Sequence, residues 1–161
     1  MKHPVFSLSA LLLSAFLMFS APARGQELQT TEWKAYGISF LAPADIATED
    51  DSEEGYIVYN ADYYITVQLL AGEGFSISEI PQELKNIATD DEVAAQTEVE
   101  TFELPQFHGA KLEGNCDEDR CVYSYLIAKD GSCGFYVSVI YKSQEEPVAE
   151  KILSSFRMED N

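Results

Sequence analysis

A chain of 161 residues, 46% hydrophobic and 24% charged, is one domain long and apolar enough to bury a core, which excludes a multidomain enzyme and a disordered tail. Asp and Glu number 28 against 10 Lys and Arg, a formal charge of −18. A surface of that sign is unsuited to nucleic-acid phosphates, which are recognised by positive patches.

Met1-Lys2-His3 makes a short basic start, and the 15 residues from Val5 to Phe19 carry no charge. Ala21-Pro22-Ala23 and Ala23-Arg24-Gly25 follow as small-x-small triplets. This is the pattern of a secretory signal peptide, 1–25, with cleavage before Gln26 or before Arg24. A membrane anchor is the competing reading, but the apolar stretch falls short of the roughly 20 residues a spanning helix needs. No cysteine lies near the cleavage region, so a bacterial lipoprotein route is not indicated. Cleavage before Gln26 leaves a single domain, 26–161, of 136 residues; loss of Lys2 and Arg24 takes its charge to −20. The expectation is a periplasmic or secreted protein that anionic lipid repels.

In chain order, an extended run through Ile38 and Phe40 stops at Pro43. The acidic stretch 44–55 reads as a loop. Residues 55–60 and 63–71, rich in Tyr, Ile and Val, read as a hairpin turning at Ala61-Asp62. Ile80, Leu84, Ile87 and Ala88 recur at helical spacing, with Ser78 as the expected cap, Pro81 in the first turn and Thr89-Asp90-Asp91 at the end. Extended runs follow at about 96–104, 107–115, 121–128 and 133–141. Pro105-Gln106 turns the first pair and 129–132, with its Asp130-Gly131, the last. Pro147 opens a final helix with Val148, Ala149, Ile152, Leu153 and Phe156 as its apolar stripe.

The order β-β-β-α-β-β-β-β-α with short turns specifies an α+β domain around a mainly antiparallel sheet of about six to seven strands. Tyr56, Val58, Ile65 and Val67 share one face, and Ile57, Tyr59 and Leu70 the other. Both faces need cover, and each helix can supply one. The order of elements, the opening Gly37-Ile38-Ser39-Phe40-x-x-Pro43 and the closing Ile152-Leu153-Ser154-Ser155-Phe156 resemble the PsbP-like fold. The resemblance covers most of 26–161. It implies a central antiparallel sheet between helices and a non-catalytic, partner-binding role.

Cys116 and Cys121 flank Asp117-Glu118-Asp119-Arg120 at the expected mouth of a hairpin. Cross-strand neighbours there are about 5 Å apart, which suits a disulfide holding the acidic tip. Cys133 is expected opposite Ala128 and Cys121 opposite about Ile140, which separates the two cysteines by roughly 23 Å of strand. Cys133 therefore reads as a buried free thiol, with a catalytic thiol as the alternative that needs an activating base.

The same count puts Leu112 opposite Tyr125 and Tyr125 opposite Tyr136. His108, Ala110, Leu112, Tyr123, Tyr125, Ile127, Tyr136 and Ile140 then share a face, with Cys133 facing away. His108, Tyr123, Tyr125 and Tyr136 line either a shallow ligand cleft or a packed core with a wet rim.

The acidic runs 49–54 and 117–119 offer oxygen ligands, but neither has the spacing of a calcium loop, and they read as solvated loops rather than a calcium site. No zinc set, nucleophile elbow, phosphate loop, dinucleotide fingerprint or metalloprotease histidine pair is present, and no metal or cofactor is called for. Three classes of function remain: a non-catalytic exported module binding a basic patch of an exported or cell-surface protein, a small-ligand binder using the tyrosine face, and a small hydrolase.

Overall fold

The computed structural model describes residues 26–70, 77–142 and 146–159. The signal-peptide segment 1–25 lies outside the described residues. The strands are β1 (Leu28–Trp33), β2 (Ile38–Pro43), β3 (Ala47–Asp51), β4 (Tyr56–Tyr59), β5 (Tyr63–Leu69), β6 (Glu100–Glu103), β7 (Phe107–Cys116), β8 (Asp119–Ala128), β9 (Gly134–Tyr141) and β10 (Arg157–Met158). Helix α1 (Ile80–Asp90) follows β5, and α2 (Glu146–Ser154) precedes β10.

Seven strands form one antiparallel sheet in the order β3-β4-β5-β9-β8-β7-β6, and β1-β2-β10 form a second. The fold is thus α+β, as the alternation of short turns and apolar runs implies. The hairpin at Ala61-Asp62 closes with the Asn60 amide on the Tyr63 carbonyl at 2.9 Å. The 129–132 turn closes with the Ala128 amide on the Cys133 carbonyl, and Gly131 takes the left-handed conformation (φ 75°) that its Asp-Gly pair anticipates.

Each face of the large sheet has its own core. On one side Val58, Ile65, Val67, Leu126, Phe135 and Val137 pack against α2 and the small sheet, with Trp33, Phe40, Ile152 and Phe156 among the buried residues. On the other, Ile80, Leu84 and Ala88 of α1 pack on Ala110, Leu112, Tyr123 and Tyr125. Each helix covers one face, as the pattern of apolar residues requires.

Five expectations need correction. The stretch 44–55 is not all loop: its acidic residues form β3, an edge strand whose polar side chains give no burial signal. The run at 96–104 is regular only over Glu100–Glu103, because Val93, Ala94 and Gln96 instead pass close over Gly114 of β7, and Ala94 exchanges both backbone bonds with Asn115. Residue Glu79, not Ser78, is the N-cap of α1, without a side-chain cap bond. Pro147 is the second residue of α2, one residue later than read. Finally β1 and β10 carry too few apolar residues to stand out alone, and they exist by pairing with β2.

The register of β7 and β8 also differs. Cys116 pairs with Asp119 and Gly114 with Cys121, so Leu112 faces Tyr123 rather than Tyr125. The cause is a two-residue turn at Asp117-Glu118, with Asp117 in the left-handed region (φ 55°) that Asp tolerates. A shift of two residues preserves every face. Cys116 and Cys121 are therefore diagonal rather than opposed, yet they form the disulfide, with Cα atoms 5.9 Å apart. The β8–β9 register is as read, with Cys121 on Ile140 and Tyr125 on Tyr136.

Candidate functional site

The tyrosine face can be followed row by row across the sheet. Gln68, Tyr136, Tyr125, Ala110 and Thr101 succeed one another, as do Ile57, Thr66, Ser138, Tyr123 and Leu112, and then Tyr59, Tyr64, Ile140, Cys121 and Gly114. His108, Tyr123, Tyr125 and Tyr136 do share this face. They do not form an open cleft. Tyr123 and Tyr125 are 5% and 4% exposed beneath α1, which docks on β7 and β8. Burial pushes the Tyr125 hydroxyl's pKa up, and burial together with the bond to Asp91 does the same for Tyr123. Tyr123 donates to Asp91 Oδ2 at 2.8 Å, which ties β8 to the end of α1. Tyr136 is half-buried at the border of the covered area, and burial is also the largest cause of its raised pKa.

His108 stands apart near the start of β7, its side chain 41% exposed. Its Nδ1 lies 2.8 Å from Glu103 Oε1, and Lys129 Nζ holds the other Glu103 oxygen at 3.0 Å. These two partners, His108 first, lower the Glu103 pKa. Cys133 faces the opposite core and is half-buried rather than buried, with Ser132 Oγ at 3.6 Å and Met158 Sδ at 3.9 Å. Neither neighbour is a base.

Beyond α1 the described residues leave the face only partly covered. Ile57, Tyr64, Thr66, Tyr136 and Ile140 are half-exposed and Tyr59 is 40% exposed, with the Tyr59 and Tyr64 rings stacked at 6.3 Å. At one end a polar notch of about 130 Å³ lies among Asp62, Tyr64, Asp119, Ile140 and Lys142.

A second feature lies on the other face. A groove of about 480 Å³ runs between α2 and the outer strands, with Phe102, Val122, Ala149 and Leu153 as apolar lining. Lys111, Glu113, Glu150 and Lys151 supply its charges. Lys111 Nζ bonds Glu113 Oε1 at 2.7 Å. Burial opposes the Lys111 charge, but Glu113, Glu100 and Glu150 outweigh it and raise the pKa. The sequence reading missed this groove, because its walls come from strands and a helix distant in the chain.

The family model described as dihydro-orotase-like matches residues 13–146. The chain belongs to the dihydro-orotase-like family. No curated protein matches the sequence. Among solved structures, the Ran-binding protein Mog1p of Saccharomyces cerevisiae is similar, with 8% identity, a TM-score of 0.57 and coverage of 83% of this chain and 96% of that one. A point mutant of Mog1 gives 9% identity, a TM-score of 0.56 and coverage of 84% and 97%. At such identity the likeness is one of fold: this chain has the Mog1/PsbP-like fold that its sequence resembles.

Proposed function

We propose that this protein is exported and serves as a non-catalytic protein-binding module, its acidic surface docking on a basic patch of an exported or cell-surface partner. The observation that carries the reading is the charge of the sheet edges. Both edge strands, β3 with Glu49, Asp50 and Asp51 and β6 with Glu100 and Glu103, bear carboxylates and no Lys or Arg. Such a field steers a cationic partner and weakens with salt, since screening shortens to about 8 Å at physiological ionic strength. The Mog1 fold neighbour described as Ran-binding supports protein binding as a use of this architecture.

The family name points to hydrolytic ring chemistry, which calls for a base or metal that activates water. Among the described residues no three His, Cys, Asp or Glu are grouped to hold a metal ion. His108 is the sole histidine of 26–161 and pairs with the exposed Glu103, and neither residue lines the α2 groove or the notch at Asp62. One observation favours a second reading, small-ligand binding: the α2 groove has the volume of a small-molecule site.

N-terminal sequencing of exported protein tests the first claim, a start near Gln26 being expected and retained Met1 refuting it. Capture of exported proteins on the purified domain at two salt concentrations tests the second. Specific partners held at low salt and lost at high salt are expected. No retained partner, together with a small molecule that raises the melting temperature, would replace this reading with the ligand one.

A further inference from the structure

We propose that the half of the α1-side sheet face left open by α1, from Tyr59 and Tyr64 to the notch at Asp62 and Asp119, is the docking surface for an arginine-bearing segment of a partner protein. This inference rests on the protein-binding reading above and gives it a place.

Helix α1 sits on β7 and β8, toward one side of a seven-stranded sheet. On the remaining strands the same face carries residues that a solvated sheet surface has no need of. Ile57, Tyr59, Tyr64, Tyr136 and Ile140 lie in adjoining cross-strand positions, with Thr66 and Gln68 between them. Flat apolar and aromatic area of this kind marks an interaction surface when it is rimmed by polar groups. Tyrosines contribute rigid contact area at low entropic cost, and their ring faces attract guanidinium groups.

The rim decides the chemistry of the occupant. Burial and the neighbouring Glu49 carboxylate raise the Tyr64 hydroxyl's pKa, so an acidic group lies at one side of the stacked pair. At the end of the face Lys142 Nζ bonds Asp119 Oδ1 at 2.7 Å, and its amide donates to the Asp62 carbonyl. The bond to Asp119 and the fields of Asp62 and Glu118 hold the lysine charged. Three carboxylates (Asp62, Glu118, Asp119) thus act on one ammonium at this end of the sheet, and Glu49 adds a fourth beside Tyr64. The excess is negative, beside stacked tyrosine rings and a notch of about 130 Å³. A planar guanidinium satisfies both halves, stacking on a ring while its N–H groups reach a carboxylate. Lysine satisfies only the charge, and an acidic or purely apolar segment satisfies neither.

Titration of the full domain with a short capped peptide of alternating arginine and glycine, followed by amide chemical shifts, tests the proposal. Shifts should concentrate on Ile57, Tyr59, Tyr64, Thr66, Tyr136, Ile140 and Lys142. Tyr59→Ala, at an exposed position where folding is not at risk, should weaken binding by about two- to fivefold. Tyr64→Ala should do the same, Asp62→Asn should weaken it further in combination, and Lys151→Ala on the α2 groove should change nothing. The same peptide with lysine in place of arginine should bind more weakly, and with glutamate not at all. Shifts centred on β6 or on the α2 groove, or unchanged affinity in both tyrosine variants, would overturn the proposal. So would a concentration-dependent dimer that Tyr59→Arg abolishes, since a second copy would then occupy the face. The salt-dependent capture separates the two levels. A partner held equally by wild type and by the Tyr59→Ala/Tyr64→Ala variant refutes this surface and leaves protein binding standing; no partner at all refutes protein binding.

Discussion

Replacing Gly109 by alanine is expected to disturb the outer wall of the α2 groove by a route that one side chain controls. Gly109 pairs across the strands with Phe102 on the edge strand β6. The Phe102 ring lies directly over it: a Cβ added to Gly109 would fall 2.4, 2.5 and 2.7 Å from three ring carbons. Carbon atoms settle near 3.5–4.0 Å, so the ring must retreat by about 1 Å or more. An overpacking of that size costs about 1–3 kcal/mol. Phe102 is half-buried on a short edge strand, so the ring can swing rather than break the fold, which favours the lower half of that range. With Phe102→Ala in place the clash is gone. The new methyl group then brings only the smaller backbone entropy cost of alanine, a gain of roughly 0.5–1 kcal/mol in a strand. A double-mutant cycle by urea denaturation should therefore give a coupling of roughly 2 kcal/mol. If Gly109→Ala costs nothing beside Phe102, or costs the same with and without the ring, the packing argument is wrong.

Four further outcomes are expected. Leu84→Ala removes a fully buried side chain of α1 from above the tyrosines and should cost about 2–5 kcal/mol in urea unfolding, with Tyr123 and Tyr125 becoming more accessible to quenchers. Reducing Cys116–Cys121 should lower stability by about 2 kcal/mol at most, because the closed loop is short and its hairpin is already paired; a larger loss measured by thermal melts would mean the bridge does more than hold the tip. Tyr123, Tyr125 and Tyr136 all have raised pKa values, so the stability they contribute is complete below the ordinary tyrosine value of 10.0 and is lost as pH rises above it; urea melts from pH 8 to 12 should show the decline, and Tyr123→Phe should flatten it. Ser124 is fully buried and its hydroxyl finds no hydrogen-bond partner among the described residues, so Ser124→Ala should raise stability by about 1 kcal/mol rather than lower it.

The period-two pattern of β4, β5, β7, β8 and β9, the turns at 61–62 and 129–132 and the helical stripes at 80–88 and 148–156 determine on their own the α+β class, the two-sided core and the face each strand residue takes. That face assignment survives the two-residue error in the β7–β8 register, because side chains alternate with a period of two. The Cys116–Cys121 pairing was legible for a related reason: a tight hairpin brings its mouth together in either register. Tertiary structure decided the rest. The polar edge strand β3 and the marginal β1 and β10 carry no burial signal of their own and are strands because neighbours pair with them. Strand order placed Tyr59 and Tyr64 beside Tyr136 and Ile140, a neighbourhood that no local pattern encodes, since β5 and β9 are separated by α1 and three strands in the chain. The docking position of α1 then divided the tyrosine face, burying Tyr123 and Tyr125 and leaving Tyr59 in solvent. The groove beside α2 is likewise a product of packing between distant segments, which is why its lining residues carry no common motif.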